Sequence, residues 1–416
     1  MFDYDKWQEI YQSIKKHKLR ALLTAFGVFW GIFMLVILLG AGKGLENGAK
    51  RGFDINKNTV FLWTQRTSIP YKGLQPGRYI QLRNEDIAAL KSGIPEMAAI
   101  APRTPLNGDF SIEYGDRSAN FGVYGDYPAF TLVNPIWVTN GRFVNDRDIE
   151  QARKVAVIGK RVQEVLFPEG MDPLGEYIKI KGISFKVVGV FDTKSKGEDA
   201  RDELQTIYLP NTALQRAFNR ANQVGWFALL PKEGIPARVV EDKAKALLAQ
   251  RHSVAPNDQR AFGSANVEEE YQKMQTIFTG ISGFSWLVAI GTIIAGVVGV
   301  GNIMMIIVRE RTREIGIRKS LGATPWSIIS MILREAIVLT SVAGYAGLAL
   351  GCGLIAFIQY AIDNFGLDSD FFYNPQLNFM TAVWALIVLL VSGTLAGLIP
   401  GIRAAMINPV LALRDQ

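Results

Sequence analysis

Four stretches of this chain, residues 21–42, 274–308, 336–362 and 371–402, contain no Asp, Glu, Lys, Arg or His. A bilayer's hydrocarbon core, about 30 Å thick, takes roughly 20 helical residues to cross. The first stretch is close to that length. The other three are longer, and their apolar centres place spans at about 284–308, 338–360 and 379–400. The pattern predicts a membrane protein with four transmembrane α-helices. Between the first two spans it predicts a large α/β extracytoplasmic domain at 43–273.

Shorter periodicities organise that domain. Val60-Phe-Leu-Trp63 reads as a strand, and Asn84–Leu90 as a helix with Asn84 as N-cap and acidic residues in its first turn. Val155–Ile158 reads as a buried strand, followed by a helix over Arg161–Phe167 that Pro168 ends. Over Tyr177–Val190, Ile178, Ile180, Phe185 and Val187 alternate with Lys179, Lys181 and Lys186. With Lys181-Gly182 at the break, that alternation predicts a β-hairpin with one wet face. Val239, Val240, Ala244, Leu247 and Leu248 mark the inner stripe of a further helix. The polar flanks Lys43–Lys50 and Val267–Lys273 carry helical patterns. They read either as a stalk continuing the spans or as plain linkers.

Charge orients these elements. Residues 1–20 (an amphipathic segment), the loop 309–335 and the tail 401–416 hold 13 basic residues against seven acidic ones, and so +6 of the formal net charge of +7. The loop after the third span has Asp363, Asp368 and Asp370 and no basic residue. Cytoplasmic segments carry the excess of Lys and Arg, so both termini are expected in the cytoplasm and 43–273 on the other side. The basic excess is therefore topological and does not indicate nucleic-acid binding. The charged lead before the first span is long for a signal peptide, and an uncleaved anchor is expected.

The composition excludes several chemistries. Cys352 is the single cysteine and His17 and His252 the only histidines, which argues against a disulfide, a zinc site or a Cys/His nucleophile. Asp146, Asp148 and Glu150 lie together and read as a solvated loop. No Gly-x-x-x-x-Gly-Lys-[Ser/Thr] occurs, so nucleotide hydrolysis by a phosphate-binding loop is not expected of this chain. The span cores hold no ionisable residue, whereas ion-coupled carriers place such residues at membrane depth. Energy should enter from outside the bilayer.

The spans instead carry small residues four apart: Gly27 and Gly31; Gly291, Ala295 and Gly299; Ala343, Gly347 and Gly351; Gly393, Gly397 and Gly401. Such spacing lets backbones approach closely. It fits packing within the chain, and it also fits a dimer seam using one or two of the stripes.

The loop after the second span is dense in charge. Glu314 and Arg318 form an i, i+4 pair in the favourable order. Gly322 suits a helix C-cap, and Thr324-Pro325 suits the start of another helix. An orienting basic loop would explain the arginines. It would not explain Ile315, Ile317 and Leu321 between them, which read as exposed apolar knobs for a partner.

Here the chain resembles the MacB/FtsX-type permeases of ABC transporters. The residues that carry the resemblance are Arg309-Glu-Arg-Thr-Arg-Glu-Ile-Gly-Ile-Arg-Lys-Ser-Leu-Gly-Ala323 and the tail Ile399-Pro-Gly-Ile-Arg-Ala-Ala-Met-Ile-Asn-Pro-Val-Leu-Ala-Leu-Arg414. Gly141-Arg-Phe143, Val155–Gly159, Leu166-Phe167, Pro173-Leu-Gly175 and Phe185–Val190 are similar in order and spacing. The resemblance implies a bacterial inner-membrane, MacB-like permease, itself non-catalytic and without a bound cofactor. Four helices per subunit would pair with a second permease copy or a paralogue.

It also implies a separate ABC ATPase subunit carrying ATP and Mg, supplied in trans because only about 20 residues precede the first span. That ATPase would bind the loop through Glu310, Arg313, Glu314, Ile315, Ile317, Arg318, Leu321 and Gly322. A periplasmic adaptor and an outer-membrane duct would complete an efflux or secretion machine for amphiphiles or peptides. Lipoprotein release, and FtsX-like regulation of a periplasmic partner, are the alternatives that the same resemblance carries.

Overall fold

The computed structural model describes residues 18–51, 56–193, 198–365, 372–376 and 379–408. They fall into two compact units, residues 49–275 and residues 1–48 with 276–416. The tail from Pro409 and most of the segment 1–20 lie outside the described residues.

The 49–275 unit is an α/β sheet structure. Its strands are β1 (Val60–Thr64), β2 (Met97–Pro105), β3 (Ile112–Tyr114), β4 (Arg117–Ala119), β5 (Gly122–Asp126) and β6 (Trp137–Gly141). They continue with β7 (Val155–Gly159), β8 (Tyr177–Ile180), β9 (Ile183–Asp192), β10 (Thr206–Pro210), β11 (Trp226–Pro231) and β12 (Phe262–Asn266). The spatial order is β12-β1-β11-β2-β5-β10-β7-β9-β8-β3-β4, with β6 paired to β9. The β5–β10 and β7–β9 pairs are parallel.

The predicted hairpin is β8–β9. Lys181 and Gly182 both take positive φ, +49° and +77°, as a two-residue turn matching the strand twist requires. Ile178, Ile180, Phe185 and Val187 are buried, and the three lysines face out.

Two separate cores serve this sheet. One gathers Val60, Leu62, Leu90, Phe227, Val240 and Leu248. The other gathers Ile112, Ile158, Val162, Phe185 and Ile207. Only two residue pairs, Thr104↔Gly125 and Pro105↔Tyr124, join β2 to β5 between them. Arg103 sits at that join and pairs with the fully buried Asp126 through two bonds of 2.8 Å. Its guanidinium lies 3.7 Å from the centroid of the Phe130 ring and 5.3 Å from that of Trp226.

Local details depart from expectation where tertiary contacts intervene. The helix Asn84–Gly93 is capped by Arg83, whose backbone N–H donates to Asp86. Asn84 is the first helical residue, and its side chain pairs with Gln215. On the helix Ala237–Arg251, Val240, Ala244 and Leu248 are buried as expected, but Val239 is exposed and Glu241 is buried in its place. Asp146, Asp148 and Glu150 form a short helix in place of a solvated loop. Asp148 is buried because it caps that helix and pairs with Arg142.

Asp86 makes this unit acid-sensitive. Burial pushes its carboxyl up, but bonds from His252, Arg251 and the Arg83 N–H outweigh burial and hold it below the ordinary carboxylate range. Glu241 and Asp258 are depressed in the same direction. A depressed carboxylate binds fewer protons folded than unfolded. Its stabilisation is therefore present above about pH 4 and lost as pH falls through the folded value. Asp86→Asn should lower the urea midpoint of the chain near pH 7, and the gap to wild type should close below about pH 4. An equal gap at both ends would contradict this.

The other unit holds four helices long and apolar enough to cross a membrane. They belong to Lys18–Arg51, Val267–Glu310, Pro325–Phe365 and Phe379–Ala405, called here the first to fourth span helices. Lys43–Lys50 continues the first span helix without a break, and Val267–Lys273 opens the second. Val28, Ile32, Val300, Met304, Ala336 and Ala396 are among the residues that pack between the helices. Leu287, Val298, Phe357 and Leu395 point outward, as contact with lipid tails requires.

The small residues sort into two sets. A Cβ on Gly27 would lie 3.2 Å from Gly296, and one on Gly31 within 3.1 Å of Ile293 and Thr292. Gly347 and Gly351 meet Phe29 and Val36 of the first span helix, and Gly393 and Gly397 meet Thr340 and Ala336 of the third. Ala343 is buried alongside. These stripes pack within the chain. The stripe on the second span helix is open at Gly291 and Ala295. Gly291 meets nothing within 4 Å among the described residues, Ala295 is exposed and Gly299 half-buried. The close approach on that helix is made by Gly296 instead, a residue outside the i, i+4 pattern.

Candidate functional site

Between the second and third span helices the chain forms a short helix, Thr312–Ser320. Glu314 accepts from Arg318 at 2.9 Å one turn on. The helix ends in a Schellman motif. Gly322 is left-handed at φ +94°, its N–H reaches the Lys319 carbonyl, and the Ala323 N–H reaches that of Arg318. Thr324 then caps the third span helix through the Ser327 N–H at 3.3 Å, with Pro325 as the first helical residue.

The inner face of this helix is fastened. Ile315 is only 1% exposed and packs with Val308, Ile328, Ile332 and Ala404. It is therefore not the exposed knob that the charged surroundings suggested. Its place on the helix turns it toward the span ends. Arg311, just before the helix, lies 3.5 Å from the buried Glu335 of the third span helix. Arg318 contacts Met331 on that same helix. Lys319 donates to the carbonyls of Ala405 at 2.7 Å and Ile407 at 2.6 Å, at the end of the fourth span helix.

The outer face is bare. Ile317 is 43% exposed, Leu321 83% and Trp326 68%. Glu310, Arg313 and Glu314 are exposed around them. Of the eight residues expected to couple, Glu310, Arg313, Glu314, Ile317, Leu321 and the backbone of Gly322 belong to this outward surface. Arg318 is half-buried and Ile315 buried. Trp326 and Lys319, which the structure places beside these eight, were not among them. An aromatic one residue past a helix-starting proline was a readable signal for the first. The second bonds to residues 86 and 88 positions away, which no local pattern reveals.

Ile317, Leu321 and Trp326 thus make an exposed apolar patch ringed by charge. No group of three or more His, Cys, Asp or Glu side chains able to hold a metal occurs among the described residues.

Two family models match the chain: the MacB-like periplasmic core domain over residues 21–247 and the FtsX-like permease C-terminal region over residues 286–409. The chain is 27% identical over 420 residues to the pyoverdine export ATP-binding/permease protein PvdT of Pseudomonas syringae, covering 99% of this chain and 60% of that protein. It is 28% identical over 415 residues to the macrolide export ATP-binding/permease protein MacB of Bdellovibrio bacteriovorus, covering 98% and 61%. The chain thus spans about three-fifths of the length of the curated relatives it matches. The crystal structure of the periplasmic region of MacB from Actinobacillus actinomycetemcomitans aligns with 53% of this chain and 94% of its own, at 20% identity and a TM-score of 0.43.

Proposed function

Because the chain belongs to the MacB/FtsX-type permeases of ABC transporters, we infer that it is the membrane part of an ATP-driven export machine, moved by an ABC ATPase outside these 416 residues. The carrying observation is the two-faced helix Thr312–Ser320. Its inner side is bonded to the third and fourth span helices, and its outer side offers Ile317, with Leu321 just past its end and Trp326 at the start of the third span helix. A partner gripping that surface pulls on the spans and need not reach into the bilayer. The cluster Arg309, Arg311, Arg313, Arg318, Lys319 and Arg334 supports a cytoplasmic position for it, in the bacterial inner membrane.

Further features favour this reading. The span cores contain no ionisable residue, so an ion gradient has no obvious relay. Gly291 and Ala295 of the span-two stripe are left open by packing within the described residues, which suits a second permease copy or a paralogue. The relatives are named for export of pyoverdine and of macrolides. Export of a periplasmic amphiphile or peptide, through an adaptor and an outer-membrane duct, is the corresponding role for this chain.

Capture of the tagged chain from its native membranes tests the reading. An ABC ATPase should come with it. Leu321→Asp should weaken that capture on the order of 30-fold, the loss expected when an anchor in an interface is removed. Membrane insertion should be unchanged, because the side chain touches little of its own chain. Equal capture by both proteins would remove the docking surface. A lipoprotein carrier or a wall hydrolase in place of an adaptor would redirect the role.

A further inference from the structure

We propose that Lys319 is the residue through which the docking helix moves the fourth span helix. The inference rests on the docking reading above and adds the path that the force takes. The end of any helix leaves its last carbonyls without partners. At the fourth span helix, the Ala405 and Ile407 carbonyls are met by one ammonium from another element, at 2.7 and 2.6 Å. Lys319 is the last but one residue of Thr312–Ser320, two residues before the exposed Leu321. A displacement of Leu321 therefore reaches the Ala405–Ile407 backbone through one side chain.

The other fastenings lead elsewhere. Arg311 reaches Glu335 and Arg318 reaches Met331, both on the third span helix. Ile315 touches Ala404 only within a shared apolar cluster, which can slide. Hydrogen bonds from a charged donor to carbonyls are directional and strong. Lys319 is thus a polar tie from the docking helix to the end of the fourth span helix, whereas Arg311 and Arg318 tie it to the third.

Two measurements separate this tie from docking itself. The first needs no ATPase: hydrogen exchange of the full chain in nanodiscs. Met406 and Ile407 amides bond back to Ile402, Arg403 and Ala404, and this last turn is what Lys319 holds. Lys319→Met, which keeps the apolar stem, should speed their exchange about tenfold, as loss of a charge-assisted bond predicts. Lys319→Arg should restore much of the protection. Unchanged exchange in Lys319→Met overturns the proposal even where docking holds.

The second uses the ATPase captured with the wild-type chain. Nitroxides at the exposed Ile306 and Ile402, placed in a Cys352→Ala background, report the fourth span helix against the second. The wild-type pair should shift its distance on ATP addition. Lys319→Met should retain ATPase capture and lose that shift, with Lys319→Arg recovering it. A full shift in Lys319→Met, or loss of capture together with the shift, overturns the proposal. Capture of no ATPase by the wild-type chain overturns the docking reading, and this inference with it.

Discussion

Asp126→Ala should destabilise the α/β unit by about 3–5 kcal/mol, the range for removing one partner of a buried ion pair. Asp126 is fully buried, and Arg103 gives it two bonds of 2.8 Å. Without the carboxylate, the guanidinium would remain among Tyr124, Phe130, Tyr208 and Trp226 with no counter-charge. Burial is the largest influence and works against that charge; the attraction and hydrogen bonds of Asp126, with a smaller share from Tyr208, together outweigh it. The rings cannot substitute, since even a desolvated cation–π contact is worth only about 2 kcal/mol. The damage should centre on the join between β2 and β5, where the strand pairing is only two residue pairs long. Urea titration of the full chain followed by tryptophan fluorescence reads this, because Trp226 lies against the pair. Replacing both partners, Arg103→Met with Asp126→Leu, should cost less than Asp126→Ala alone, since no charge is then stranded. A single variant within about 1 kcal/mol of wild type would mean that the pair is not what holds the join.

Gly347→Leu should separate the first and third span helices and leave little folded chain. A Cβ there would lie 2.5 Å from the Phe29 carbonyl oxygen and 3.3 Å from the Phe33 nitrogen. Both are backbone atoms, so no rotamer change makes room. Overpacking a well-filled site typically costs about 1–3 kcal/mol and more where nothing yields, which puts this substitution at or above the top of that range. Gly291→Leu is the matched control, because nothing among the described residues stands within 4 Å of a Cβ there. The readout is monodisperse yield and thermal stability in detergent. Wild-type behaviour of Gly347→Leu would refute the packing described. A Gly291→Leu chain that folds normally but changes its oligomeric size would mark the seam between copies.

Much of the architecture was legible because long, uninterrupted periods are local. The four apolar stretches, the β8–β9 alternation with Lys181-Gly182 at its turn, and the caps at Gly322 and Thr324 each depend on neighbours within a few residues. The departures share the opposite cause. Asn84 looks like an N-cap in isolation, but Gln215 takes its side chain from 131 positions away. Asp148 looks solvated until Arg142 and Arg153 close on it.

The candidate site divides in the same way. Leu321 and Ile317 were readable as exposed apolar residues in a charged run. Ile315 was not separable from them by sequence, because its burial depends on Ala404 of the fourth span helix. Among the small residues, spacing correctly selected faces on three helices. On the second it selected Gly291 and Ala295, while contact with Gly27 and Val28 fell to Gly296.

The two-sidedness of Thr312–Ser320 has a consequence for how such machines diversify. The residues that meet the outside, Ile317, Leu321 and Trp326, are not the residues that hold the helix down, Arg311, Ile315 and Lys319. The angle at which the outward set is presented is fixed by a residue with no side chain at all, Gly322 at φ +94°. Under the proposed docking, recognition of a motor and transmission from it would fall to separate residues of this segment. A change of motor would then rewrite surface positions and leave the contacts to the third and fourth span helices in place.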